Sequence, residues 1–180
     1  MKSVNLLKAA AVLLGLGAVV PAASAQMMAS PAPAVMPADY QFVAKAAYGG
    51  WGEIAAARVA LQRSGDPRIH ALANRMIADH TAANQELAAL AASRGIAAPT
   101  VPDSARQGTV AVLQQMSGPA FDSAYLTQQI ADHRVAITLY ETAASSSADP
   151  ALRAFAQRQL PVLHHHLQEV SGAARLASAR

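Results

Sequence analysis

The chain has 180 residues, of which 53% are hydrophobic, 4% aromatic and 14% charged, with a formal net charge of +3 and no cysteine. That length suits one domain, and the absence of Cys excludes disulfide scaffolds, thiolate zinc sites, iron–sulfur clusters, cysteine nucleophiles and lipid attachment through an N-terminal Cys. About a quarter of the residues are alanine, the best helix former and a small side chain, while aromatic and β-branched residues are too scattered for a sheet.

The first segment, 1–25, carries Lys2 and Lys8, an apolar run over 9–20 and the small-x-small site Ala23-Ser24-Ala25. This is the pattern of a secretory signal peptide with processing before Gln26. The run is shorter than the roughly 18–20 apolar residues of a spanning helix, and no later segment is long and apolar enough to span. Export to a bacterial periplasm, with no transmembrane span in the mature chain, is the expectation. Removing Lys2 and Lys8 leaves 12 basic against 11 acidic residues, so the mature charge falls from +3 to +1. No Lys/Arg run or basic face with interleaved aromatics occurs, and nucleic acid is not an expected partner. Segment 26–37 reads as a disordered linker of Ala, Pro and Met. Its Met27, Met28 and Met36 lack the His or Cys that would define a copper site.

The domain at 38–178 shows four long helical patterns. The first begins near Asp39 and ends at Ser64-Gly65, where Gly65 is expected to supply the left-handed residue that closes a helix. The second opens at Asp66-Pro67, an N-cap followed by Pro at the first helical position, and runs to Arg94-Gly95. Segment 96–118 follows, with a short helix expected over 104–116. The third long helix starts around 119–122 and fades in Ser145-Ser146-Ser147; the fourth runs from Asp149-Pro150 to about Ala177. SGDPRIHALANRMI, starting at Ser64, aligns without gaps to SADPALRAFAQRQL, starting at Ser147, which suggests a duplicated helical hairpin. The expected fold is all-α: a ferritin-like four-helix bundle of two helical hairpins with one long crossover carrying a short helix. Both tight turns are expected at one end, with 96–118 running back along the bundle.

Each long helix places one ionisable residue inside its apolar stripe. Glu53 lies among Phe42, Ala46, Ala57 and Ala60; His80 among Ile69, Ala73, Met76 and Leu87; His133 among Leu126, Ile130 and Ile137; His166 among Phe155, Leu163 and Val170. Glu53 and His80 lie 13 and 14 residues from Asp66, and His133 and His166 lie 16 and 17 from Asp149, so each pair is level and the pairs differ by about 4.5 Å. Imidazole plus carboxylate is a ligand set for a divalent transition metal such as Zn, Fe, Cu, Mn or Ni. Asp79 and Asp132, each preceding a His, are candidates for orienting imidazoles from outside the ligand set; Glu86 and Glu141 are further candidates. The same four core residues also suit a buried polar network that fixes register. Di-iron bundles use Glu-x-x-His motifs, and here only the reverse order His166-Leu-Gln-Glu169 occurs, so a mononuclear or vestigial site fits better. Three successive imidazoles at His164-His165-His166 point about 100° apart, which leaves His166 inward and the other two at the boundary or in solvent. Pro161 is expected to kink this helix, and His70 reads as a surface residue.

The segments GGWGEIAAARVAL, ANRMIADHTAANQEL, FDSAYLTQQIADHRVAITLYE and LPVLHHHL resemble the domain-of-unknown-function 4142 family over about 40–170. The resemblance implies an exported bacterial protein with a ferritin-like helical fold, a type often labelled an outer membrane protein, with Glu53, Asp79, His80, His133 and His166 on characteristic family positions. A mature chain without a spanning helix or a β-barrel strand pattern fits the periplasm better than that label. Two functional readings follow. One is a periplasmic helical bundle that binds a metal through Glu53, His80, His133 and His166 for storage, buffering or redox protection. The other is a non-enzymatic envelope-stress or interaction module whose core histidines are structural. An enzyme is the less favoured reading, since no GxGxxG, GxSxG or other nucleophile motif occurs, and the residues name no protein partner or oligomeric state.

Overall fold

The computed structural model describes residues 37–178; the expected signal peptide and the Met27, Met28 and Met36 of the linker lie outside the described residues. Five helices, with no strand among the described residues, make the chain all-α: α1 (Pro37–Arg63), α2 (Pro67–Ala92), α3 (Ser104–Gln114), α4 (Gly118–Ser146) and α5 (Pro150–Ser178).

Their boundaries follow from local chemistry. The Asp66 carboxylate accepts from Arg68 N at 2.9 Å, with Pro67 supplying a residue that needs no hydrogen-bond acceptor. Asp103 caps α3 by accepting from Arg106 N at 2.9 Å. Asp149 caps α5 by accepting from Ala151 N and Leu152 N at 2.8 and 3.0 Å. At the end of α2, Ile96 N bonds Ala91 O at 2.9 Å and Gly95 N bonds Ala92 O at 3.0 Å, with Gly95 at φ 70; this double closure needs a residue that tolerates a left-handed backbone. Gly65 does not play that part: among the described glycines only Gly95 and Gly118 have positive φ. The α1–α2 turn is closed by side chains instead. Ser64 Oγ accepts from Asp66 N at 3.1 Å, and His70 donates through Nε2 to Ser64 O at 2.8 Å, so His70 is a half-buried turn residue rather than a free surface imidazole. Helix α5 runs continuously through Pro161, whose ring is exposed.

Helix α1 packs most extensively on α2 and α4 on α5; α1 also lies against α4, α2 against α5, and α3 against α1. Two apolar clusters fill the interior. One gathers Phe42, Val43, Leu87, Tyr140, Leu152 and Phe155 from the start of α1, the end of α2, the end of α4 and the start of α5. The other gathers Ala60, Ile69, Leu72, Phe121, Leu126 and Val170 from the opposite ends of the same helices. The two tight turns therefore lie at opposite ends, contrary to the sequence expectation. The reason is directional: the segment after α2 runs back the length of the molecule and delivers α4 at the end where α2 began. Helix α4 then runs parallel to α2, and the next turn falls at the far end. At that end Arg94 pairs with the buried Asp149, and Ser147 Oγ donates to Asp39 at 2.6 Å, which ties the start of α1 and the end of α2 to the α4–α5 turn.

Candidate metal centre

Between the two apolar clusters lies a buried polar layer to which each long helix contributes one group. Glu53 of α1, His80 of α2, His133 of α4 and His166 of α5 are 3%, 8%, 0% and 0% exposed. They meet despite the opposite-end turns because each lies near the middle of its helix, so distance from the turn is the same from either end. The imidazole ring centroids are 5.3–5.7 Å apart, and one nitrogen from each ring falls within 4.8 Å of the other two. Glu53 Oε2 touches His80 Nε2 and lies 3.6 Å from His133 Nε2. The Glu53–His80 contact is close but not aligned as a hydrogen bond, and Glu53 Oε2 and His80 Nε2 have no hydrogen-bond partner among the described residues.

The outer nitrogens set the tautomers. His133 Nδ1 lies 2.9 Å from Gln129 O, and His166 Nε2 lies 2.8 Å from Asp79 Oδ2. A carbonyl oxygen and an ionised carboxylate only accept, so both of these nitrogens carry hydrogen. In the neutral rings, His133 Nε2 and His166 Nδ1 then turn lone pairs toward each other across 3.3 Å. A proton carried by one ring and shared as a hydrogen bond, or a metal ion bound by both, relieves the repulsion of such facing lone pairs. Two nitrogens bound at about 2.05 Å to one tetrahedral ion stand roughly 3.3 Å apart, so this spacing fits a shared ion. Anchoring of the second ring nitrogen on a carboxylate or backbone carbonyl is also the usual arrangement of metal-bound histidine.

Charge is distributed accordingly. Burial pushes the Glu53 carboxyl up, but the imidazoles of His80, His133 and His166 more than offset it and hold it down to about 2. Burial pushes the His80 imidazole down, and the Glu53 carboxylate, with help from Asp79, more than reverses this, leaving it raised. His166 is lowered by burial, against the opposing hydrogen bond it donates to Asp79, and lowered further by the adjacent His80 and His133.

The other sequence candidates fall as follows. Asp79 reaches His166 on another helix rather than its neighbour His80. Asp132 accepts from Gln128 Nε2 at 3.0 Å, is raised chiefly by burial, and makes no hydrogen bond to an imidazole. Glu86 pairs at the surface with Arg158, Glu141 is exposed, and His164 and His165 are exposed. Sequence reasoning passed over Gln129, whose role runs through its main-chain carbonyl, and Gly50 and Gly52 of GGWG. A Cβ at Gly50 would stand 2.4 Å from Asn84 Oδ1 and one at Gly52 would stand 2.5 Å from Arg106 Cδ, so these positions seat Asn84 and Arg106 against α1. Their signal is the density of glycine inside a helix, where it is otherwise unfavourable. A cavity of about 870 Å³ reaches Glu53 and His80 between α1, α3 and α4, with Lys45, Asp103, Arg106 and Asp132 along its walls. A second cavity of about 460 Å³ lies by the α1–α2 turn among Asp66, Arg68 and Asp122 and touches none of the four core groups.

The family model described as Domain of unknown function (DUF4142) matches residues 23–172, which include all four core groups. No curated protein and no solved structure matches the chain.

Proposed function

The chain belongs to the DUF4142 family, whose description assigns no activity, and from that premise we propose that its function rests on one divalent transition metal ion held by Glu53, His80, His133 and His166. The observation that carries this reading is the pair of anchored imidazoles, His133 on Gln129 O and His166 on Asp79, whose remaining nitrogens face each other across 3.3 Å beside the Glu53 carboxylate. In this reading the protein is exported to the bacterial periplasm and forms a ferritin-like four-helix bundle of two hairpins with one long crossover. The packing of α1 on α2 and α4 on α5, with α3 in the returning segment, supports that architecture. The absence of thiolates and the mixed nitrogen and oxygen donors favour Zn, Fe, Cu, Mn or Ni over soft-ligand metals. A single central carboxylate favours one ion over a carboxylate-bridged pair. The cavity that reaches Glu53 and His80 gives an ion or a small ligand a route to the site, which suits storage or buffering.

One observation favours a second reading. The direct Glu53–His80 contact is what a buried ion pair makes without metal, and such a pair can fix helix register in an interaction module. Metal analysis of the mature protein separates the two. After exposure to Zn, Fe, Cu, Mn and Ni in turn and gel filtration, the metal reading expects about one equivalent of at least one ion, and its loss in His80→Ala and His133→Ala. Sub-stoichiometric retention of all five by the wild type overturns it in favour of the register network.

A further inference from the structure

Below His133, α4 carries two further polar residues on the same face, at intervals of one turn: Gln129 and Tyr125. Both are fully buried at 0% exposure. Neither Gln129 side-chain atom has a hydrogen-bond partner, and neither does the Tyr125 hydroxyl, among the described residues. The apolar cluster that includes Tyr125 offers no relief, since its Ala57, Met76, Leu126 and Val170 carry no polar side-chain group and are almost fully buried. A buried amide and a buried phenol without partners cost about as much as broken hydrogen bonds, and native interiors seldom carry them unless water or an ion completes them. The Tyr125 ring is fixed by stacking on Phe121, with centroids 5.8 Å apart and planes 11° from parallel, so its hydroxyl cannot swing away to find a partner elsewhere. The Glu53 charge is felt there: burial first, then the Glu53 carboxylate, raise the Tyr125 phenol above its ordinary value, so it remains a hydrogen-bond donor. Gln129 is coupled to the histidines independently, through its own carbonyl on His133 Nδ1.

We propose that Tyr125 and Gln129 form an inner polar pocket beneath the histidine layer that binds a small oxygen-donor ligand, water or hydroxide in the resting protein, as a fifth ligand to the metal held by Glu53, His80, His133 and His166. This rests on the metal reading. Gln129 offers both a donor and an acceptor and Tyr125 a hydroxyl, which together satisfy a water-sized ligand and would leave a larger organic group unaccommodated among the apolar neighbours. The ligand class is therefore a hydrogen-bonding oxygen species, held apart from the cavity between α1, α3 and α4, whose walls include neither Tyr125 nor Gln129.

The test uses the full mature protein loaded with Co(II), with Tyr125→Phe, which keeps the ring stack, and Gln129→Met, which keeps the volume. The wild-type Co(II) absorption spectrum is expected to titrate with pH as the bound water ionises. The midpoint is expected to rise by about one pH unit or more in each variant, a tenfold weaker stabilisation of hydroxide. Unchanged stoichiometry with an unmoved spectrum and midpoint in both variants overturns the pocket and leaves the metal reading intact. Failure of the wild type to bind Co(II) or any other tested ion overturns both. Thermal melting of the metal-free protein provides the independent arm. A solvated amide makes Gln129→Met melt about 2–8 °C lower. A melting temperature raised by that substitution marks a dry, unpaired amide and overturns the pocket whatever the metal does.

Discussion

Asp79 gains its importance from its place on the helix. Adjacent residues point about 100° apart, so Asp79 cannot turn with His80 toward the core; it turns toward α5, where it holds His166 Nε2 at 2.8 Å. Removing a carboxylate that anchors a metal-bound imidazole typically costs 10–100-fold in affinity. Asp79→Ala is expected to weaken metal binding by that factor in a competition titration while leaving the helical circular dichroism unchanged, because the Asp79 side chain is 42% exposed. The Glu53–His80 pair sets the pH response of the metal-free protein. The carboxyl is depressed from 4.5 to about 2, so its contribution to stability is present above pH 4.5 and lost as pH falls toward 2. The imidazole is raised from 6.5, so its contribution is present below pH 6.5 and lost as pH rises through the folded value. His133 and His166 also face the carboxylate and hold it down, and Asp79 adds to the field that raises His80. Both contributions coexist between about pH 4.5 and 6.5, where the urea midpoint of the metal-free protein is expected to peak. Glu53→Gln should flatten that peak, and a midpoint that does not vary with pH counts against the pair. With metal the alkaline limb reverses, because ligation needs unprotonated imidazole and affinity therefore climbs with pH.

At the scale of elements, the two turn glycines look alike in the sequence and differ in the fold. Gly95 stands at φ 70 with its amide and that of Ile96 closing α2, whereas Gly65 has an ordinary backbone and open space around its Cα. Gly95→Ala should lose about 1 kcal/mol, since an L side chain strains a left-handed backbone. Gly65→Ala should gain about 0.4–1 kcal/mol by restricting the unfolded chain. Equilibrium denaturation of both variants checks the pair of signs. The same contrast shows what a sequence reveals at this scale. Asp-Pro at 66–67 and 149–150 marks two helix starts to the residue because capping is local chemistry. Whether a glycine at a helix end turns left-handed depends on what else closes the turn, and at 64–70 the Ser64 hydroxyl and the His70 imidazole do so. Glu53, His80, His133 and His166 were legible because each interrupts an apolar stripe midway along a long helix. The main-chain anchor at Gln129 was not, since any residue carries a carbonyl.

At the scale of the whole molecule, the all-α class is written in the alanine content and the 3.6-residue stripes, but the direction of α4 is not. It is decided by how far the segment between α2 and α4 travels, and Pro99, Pro102 and α3 do not encode a length of travel in any local pattern. That direction makes the polar layer a seam. The first hairpin supplies Glu53 and His80, the second supplies His133 and His166, and only the segment that includes exposed Ala97, Thr100 and Val101 joins them covalently. Neither hairpin alone offers more than two of these four donors, so an ion bound in the seam would act as a staple. Limited proteolysis in that segment should yield two fragments that co-elute when metal is present and separate, or separate far more readily, when a chelator removes it. The ion's affinity would then add to the hold that the two shared apolar clusters and the Arg94–Asp149 pair already give one half of the molecule on the other.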